Sequence, residues 1–458
     1  MARPQADVWL YGCRIGALSA PGAGKLAFEY SQEAAERFGT GSVVLSTSMP
    51  LDAAKRPRGD HVRAFFDGLL PEGDAREALF ERFGVVRRDR FGLLEAIGRD
   101  CAGAVVIVPA GAGDPQRTGR LEPLGDADLA ALVAGVRERP LGDDPELDVR
   151  LSLPGVQDKL LLARTSDGGW ARPVGGAPST HILKPQDMRF PGYAAAEHFC
   201  SLLARSLKLT SIDSEVISVQ GRPVLVVSRY DRIDKDGRTE RIHQEDACQA
   251  LAVDMASGGA KYQAQGGPSL RTLAQLLNRY ASREDLTRLL AITTFNVAVG
   301  NSDAHAKNLS IIHLPNGDAS LAPAYDITPT AFYTKVPTSR GPVDMTNQLG
   351  MWINHKRSIH GVTTEDLVAE GVSWGIGAKA AAVAVDGPLQ GMREHTARAA
   401  ETAALPEEIL GFVTSRTEAL LAGKPTRARR ESLTRRRGPA IEPFGHETQP
   451  PVLPDVGI

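Results

Sequence analysis

The chain has 458 residues, 42% of them apolar and 24% charged, with a formal net charge of −2 at neutral pH. Its length passes the roughly 250–300 residues at which a single core stops growing, so two or more packed units are expected, and the composition excludes wholesale disorder. The charge balance excludes a global attraction to nucleic acid or anionic membrane and leaves any such partner to a local patch.

Cys13, Cys101, Cys200 and Cys248 lie far apart with no C-x-x-C pair. That spacing argues against a zinc ribbon and a secreted disulfide framework and fits reduced thiols in a cytoplasm. The opening MARPQADVWLYG lacks a basic region followed by an apolar run, and no stretch of about 18 apolar residues follows anywhere. A soluble, cytoplasmic protein without a membrane partner is expected.

Residues 1–110 mix strand-like pieces at 8–11, 42–46 and 104–108 with helical ones around 64–70 and 75–83, which predicts a small α/β unit. Turn residues at 111–115 and 139–145 bracket a short helix over 124–138, with Asp126 near its start, so 111–150 reads as a connecting segment. From 151 to 243 strands dominate: 159–163 turns through Asp167, Gly168 and Gly169, HILK follows at 181–184, and 217–219 turns at Gln220 and Gly221 into 224–228. Between them, Phe199, Leu202, Leu203 and Leu207 recur at helical spacing over 193–209. Residues 244–423 are expected to be mainly helical. Ser282 and Asp285 form a capping box for a helix over 283–299, and further helices are predicted near 364–369, 376–403 and 406–422. The tail, 424–458, is rich in Arg and Pro without periodicity and should be disordered.

The most informative stretch is GNSDAHAKN at 300–308, where Asp303 and Asn308 repeat the D-x-x-x-x-N interval of a kinase catalytic loop. Phosphoryl transfer needs a carboxylate to take the proton of the attacking hydroxyl and an oxygen ligand nearby for magnesium. Eighteen residues on, LAPAYDI at 321–327 leaves a strand and presents Asp326, a second carboxylate able to bridge magnesium to phosphates. A plain polar turn after the helix is the alternative for Asp303 and Asn308, but His305 and Lys307 crowd the same loop with more polar function than a turn needs. His305 could orient Asp303 or the loop backbone.

Lys184 ends its strand where a kinase places the lysine that contacts phosphates, and Glu197 lies on the next helix where its ion-pair partner would sit. An edge-strand lysine and a solvated glutamate are the bland alternatives. LSLPGVQDK at 151–159 could cover phosphates with backbone N–H groups around Gly155, flanked by Gln157 and Lys159, although it has neither the Walker nor the G-x-G-x-x-G spacing.

These residues resemble the HipA toxin-type serine/threonine kinases across most of 60–355. The resemblance is carried by AFFDGLLPE at 64–72, LLEAIGRDCAGAV at 93–105, LSLPGVQDK, HILKP, SRYDR at 228–232, HQEDACQ at 243–249, KYQAQGGP at 261–268 and the two catalytic segments. It implies an α+β, bilobal kinase-like fold, with a strand-rich lobe, an extra antitoxin-contacting α/β unit and a helical catalytic lobe. It implies that Asp303 is the catalytic base, that Asn308 and Asp326 hold magnesium, and that Lys184 contacts ATP. Ser228, Arg229, Tyr230 and Asp231 would form the adenine hinge, with Tyr230 near the ring. Gln244 would lie near the phosphates or else pack as a buried amide. Ser152 matches the serine autophosphorylated in trans, which expels its loop and silences the kinase.

The resemblance further implies a helix-turn-helix antitoxin of HipB type, operator DNA reached mainly through it, and a protein substrate such as an aminoacyl-tRNA synthetase, whose phosphorylation would block translation and induce growth arrest or persistence. Val156, Asp158 and Ala304 depart from the family's usual Ala, Glu and Gly without removing a catalytic group. Two other readings compete: a nucleotide-binding corepressor or pseudokinase, and a metal-dependent hydrolase, the latter leaving Lys184 and the 151–159 loop unexplained.

Overall fold

The computed structural model describes residues 4–22, 24–115, 118–254, 261–337 and 341–426. The predicted disordered tail therefore lies outside the described residues from 427 onward. Of its described residues, Lys424 and Pro425 are exposed, while Thr426 is buried and its hydroxyl donates to Ile359 O over 2.5 Å.

The N-terminal domain is built on an antiparallel sheet of β1 (Gln5–Leu10), β2 (Cys13–Gly22), β3 (Lys25–Tyr30) and β4 (Val106–Pro109), ordered β3-β2-β1-β4. Four helices join it: α1 (Gln32–Phe38), α2 (Gly59–Asp67), α3 (Gly73–Arg82) and α4 (Arg90–Ile97). Phe28, Phe65 and Phe66 sit at its centre, ring against ring. The strand expected at 42–46 is instead a buried loop. Val44 and Leu45 supply apolar weight there. Its backbone finds partners outside a ladder, for His243 Nε2 bonds Leu45 O at 2.8 Å and Thr47 N donates to Glu245 Oε1 over 2.8 Å.

A six-stranded antiparallel sheet follows, ordered β5-β7-β6-β8-β10-β9: β5 (Arg120–Leu124), β6 (Leu160–Arg164), β7 (Trp170–Val174), β8 (His181–Pro185), β9 (Ser214–Val219) and β10 (Arg222–Ser228). Alternation along β6 decides its two faces. Leu160 and Leu162 join Trp170, Leu183 and Val224 beneath α5 (Asp126–Ala134), while Leu161 joins Val149, Leu151 and Val174 on the other. The connecting segment thus contributes the short helix expected of it and, beyond that expectation, an edge strand. α6 (Tyr193–Ser206) packs on β9 and β10.

Strands continue to the end of the part expected to be strand-rich and recur in the mainly helical part beyond 244. The hairpin β11 (Arg232–Lys235) and β12 (Arg238–Arg241) leads into β13 (His243–Asp246), which pairs with β14 (Ser310–His313) and β15 (Ala319–Leu321). These short strands escaped the sequence pattern because charged or fully buried residues replace alternation. The helices are α7 (Ala247–Ala250), α8 (Leu270–Tyr280), α9 (Arg283–Val299), α10 (Thr364–Ser373), α11 (Ala378–Thr402) and α12 (Glu407–Leu421). α9 runs through the core with α8, α10, α11 and α12 around it. Two small antiparallel strand pairs, 335–336 with 343–344 and 348–353 with 356–358, also lie between α9 and α10.

The start and stop of α9 are written in its caps. Ser282 Oγ accepts from Asp285 N over 3.2 Å while Asp285 accepts from Ser282 N. At the other end Gly300 adopts φ +86°, and its N–H bonds Asn296 O over 3.1 Å. A Cβ at Gly300 would meet Phe412 at 2.7 Å. Gly300→Ala is therefore expected to cost about 1–3 kcal/mol, read as a lower urea midpoint at unchanged slope. The loop that carries Asp303 begins at the next residue, so this cap sets its direction.

Candidate active site

Strand β8 and helix α6 bring Lys184 and Glu197 together, and the segment after β15 adds Asp326. Lys184 Nζ lies 2.6 Å from Glu197 Oε1 and 2.6 Å from Asp326 Oδ1. Burial alone would lower the ammonium's pKa, but the two carboxylates overcome it and hold the lysine cationic. Lys184 in turn draws the Asp326 carboxyl down to about 2. Burial pushes Glu197 up against the pull of the same lysine. Asp326 has φ +56°, a left-handed conformation uncommon outside glycine that tends to persist at functional sites.

Asp303 is exposed on the loop that leaves α9. Its backbone is fixed from three sides: Asp303 N donates to Asn301 Oδ1 over 3.2 Å, Asn308 Nδ2 donates to Asp303 O over 3.3 Å, and His305 N donates to Asp303 O over 2.8 Å. Since Asn308 spends its NH₂ on the loop, its Oδ1 is the atom left for a cation. Asp326 likewise gives one oxygen to Lys184 and keeps another. Two oxygen donors of this kind fit magnesium, which takes one or two side chains and completes its shell with water and phosphate. Among the described residues no three His, Cys, Asp or Glu side chains gather as a preformed metal cage.

The loop 151–159 folds back beside these groups. Gly155 has φ +116°, and a Cβ there would lie 2.5 Å from Lys159 Nζ, which donates to Pro154 O over 2.7 Å. Burial and then the neighbouring Lys184 bring Lys159 down to about 8. Gln157 is half-buried on the same loop.

Two descriptions match the sequence: a HipA N-terminal domain over residues 6–108 and a HipA-like C-terminal domain over 151–403. The chain belongs to the HipA family. It is 39% identical over 335 residues to Y4mE of Sinorhizobium fredii, a protein named as a kinase, covering 71% of this chain and 77% of that one. The serine/threonine-protein kinase toxin HipA of Shewanella oneidensis is 30% identical over 303 residues, or 63% of this chain and 67% of that one. The solved complex of the Shewanella oneidensis toxin–antitoxin system, HipA with HipB and operator DNA, superposes on 91% of this chain and 96% of that chain with a TM-score of 0.74 at 26% identity. The kinase-like α+β fold expected from the sequence is therefore present.

Several residues singled out in the HipA-like sequence are employed otherwise than expected. Ser152 is fully buried, its hydroxyl donating to Leu69 O of the N-terminal domain over 2.8 Å and its N–H to Asp100 O over 3.0 Å. Lys307 is not free for substrate. Its ammonium is buried 2.6 Å from Asp246 Oδ2, with Glu72 Oε1 at 3.9 Å. Arg229 and Asp231 turn their side chains into a buried ion network, Arg229 Nη2 lying 2.8 Å from Asp231 Oδ2. Ser228 Oγ accepts from Asp213 N over 2.8 Å. Tyr230 stacks on Tyr325 with centroids 5.6 Å apart and donates a short hydrogen bond to Gln244 Oε1, so Gln244 is tied to the 228–231 segment. His305 is buried, and burial lowers its pKa; its ring rests on Tyr262, not on the Asp303 carboxylate.

Sequence reasoning missed Glu72, Asp246, Lys261 and Tyr262. Each lay inside a segment that carried the family resemblance, but no spacing marked its chemistry, because their partners are distant in sequence.

Proposed function

We propose that this chain is a serine/threonine protein kinase that transfers the γ-phosphate of magnesium-bound ATP to a protein hydroxyl. The observation that carries the reading is Lys184 held 2.6 Å from both Glu197 and Asp326, with Asp303 and Asn308 on the adjoining loop. An isolated structural lysine has no need of two carboxylates, whereas a phosphate-binding lysine must be aimed and kept charged.

In the reaction Lys184 binds the non-transferred phosphates, with Gly155 and Lys159 closing over them. Asn308 and Asp326 would hold magnesium, which neutralises developing phosphate charge when bound. Asp303 accepts the proton of the acceptor hydroxyl as that oxygen bonds to the γ-phosphorus and the bond from phosphorus to the bridging oxygen of ADP breaks. Tyr230 and Gln244 position the adenine side of the cleft.

The reading extends to a HipB-type antitoxin with operator DNA reached through it, as in the Shewanella assembly, and to growth arrest through a substrate such as an aminoacyl-tRNA synthetase. Ser152 would be the autophosphorylation site. Its burial supports regulation by release, since a dianionic phosphate cannot remain against Leu69 O. Incubated with magnesium and γ-labelled ATP, the protein should label itself at Ser152, and Ser152→Ala should lose that label while still phosphorylating a partner substrate. No incorporation by either form would sink the kinase reading.

A corepressor role is a second reading, favoured by the operator complex of the Shewanella relative. It predicts that an Asp303→Asn form still supports repression together with its antitoxin.

A further inference from the structure

We propose that Tyr262 is the positioning residue of the Asp303 carboxylate and that Glu72 of the N-terminal domain anchors it. The inference rests on the kinase reading above and names what makes its base competent.

The groups already described around Asp303 fix its backbone; Tyr262 fixes its carboxylate. The phenol donates to Asp303 Oδ1 over 2.7 Å, and its ring meets His305 edge-on at 5.1 Å and 87°. Burial, then the neighbouring Asp303, push the phenol's pKa far up, so it stays protonated and serves the carboxylate as a donor. A carboxylate on a loop can rotate about its terminal bond. With Oδ1 bound to Tyr262, Oδ2 is the oxygen presented to an acceptor hydroxyl, and its direction is set before substrate arrives.

Tyr262 is itself held from the N-terminal domain. Lys261 O accepts from Ala306 N over 3.2 Å, and Lys261 Nζ donates to Glu72 Oε2 over 3.0 Å. Burial would raise the Glu72 carboxyl, but Lys307 and Lys261 bring it below its ordinary value, so it is anionic where both lysines need it. The backbone N–H of Glu72 also donates to Gly155 O over 3.3 Å. One residue of the N-terminal domain thus touches the phosphate loop by its backbone and the support of the catalytic loop by its side chain. The N-terminal domain is in this way part of the kinase's working geometry.

The test is steady-state phosphotransfer by the full-length protein, comparing wild type, Tyr262→Phe and Glu72→Gln. Phe keeps the ring contact with His305, so any loss reports the hydroxyl. Tyr262→Phe should lower kcat about tenfold to a hundredfold, the scale of a misaimed catalytic group, with KM for ATP and melting temperature unchanged. Glu72→Gln should lower kcat in the same direction by less, and the double variant should fall short of the product of the two losses because both act on one carboxylate. Wild-type or higher kcat in Tyr262→Phe would overturn the proposal alone, a rise meaning that the phenol blocks the acceptor. Absence of transfer by wild type would overturn the kinase reading and this proposal with it.

Discussion

Asp303→Asn is expected to lose γ-phosphate transfer by about a thousandfold, within the roughly 10²–10⁴ that a positioned general base contributes, while folding as the wild type does. The side chain is exposed and its replacement is isosteric, so stability should move by no more than about 0.5 kcal/mol. Asn can still accept the Tyr262 hydrogen bond through its carbonyl oxygen. What it cannot do is take a proton. The nucleotide contacts assigned to Lys184 and Asp326 are untouched, so calorimetric affinity for ATP should stay within twofold of wild type or about 0.4 kcal/mol, and expression without an antitoxin should cease to slow growth. Transfer retained above about a tenth of wild type would remove Asp303 from the chemistry.

How much of this site was legible in the sequence depended on whether a residue's partners were local. Asp303 and Asn308 sit five positions apart on one turn, so their spacing carried their geometry. Lys184 and Glu197 lie on consecutive elements, β8 and α6, and their pairing followed from order alone. The N-terminal cap of α9 was legible for the same reason, since Ser282 and Asp285 touch each other and nothing remote decides between them. Lys307 shows where this ends. Its position beside Asp303 suggested catalysis, but Asp246 and Glu72 arrive from β13 and from the N-terminal domain and claim its charge. Arg229 and Asp231 failed likewise, because a hinge motif fixes the backbone path and says nothing of where two long charged side chains go. The 42–46 run failed for a third reason. A buried apolar segment reads as a strand, yet here side chains of β13 satisfy its backbone and no ladder forms.

The same network that took Arg229 and Asp231 from the hinge carries the largest expected effect on stability, in Asp100→Asn. Asp100 is fully buried with Arg232 Nη2 at 2.8 Å, Arg241 Nη2 at 2.9 Å and Arg229 Nη1 at 3.5 Å, and it accepts from Ser179 N and Oγ over 2.9 and 2.6 Å. Burial alone would raise this carboxyl, but Arg232, Arg241 and Arg229 hold it well below the ordinary carboxylate range. With Asp231, two carboxylates face three guanidiniums; removing one leaves one carboxylate for three buried cations. Breaking a buried ion pair in this way costs about 3–5 kcal/mol, and Asn keeps the volume, so the loss reports charge. It should appear as a fall in the urea midpoint at unchanged slope. The sign with pH follows from the depressed value: the contribution is complete above the unfolded carboxyl's pKa of about 3.9 and is lost as pH falls below it toward the folded value, so the gap between wild type and Asp100→Asn should narrow only in acid. Because Asp100 O also receives the Ser152 N–H, loosening the network should release the 151–159 loop, seen as faster proteolysis within that loop at neutral pH. A loss below about 1 kcal/mol would mean that the three arginines find other partners when Asp100 is neutral, and the network would then be a consequence of domain packing and not its cause.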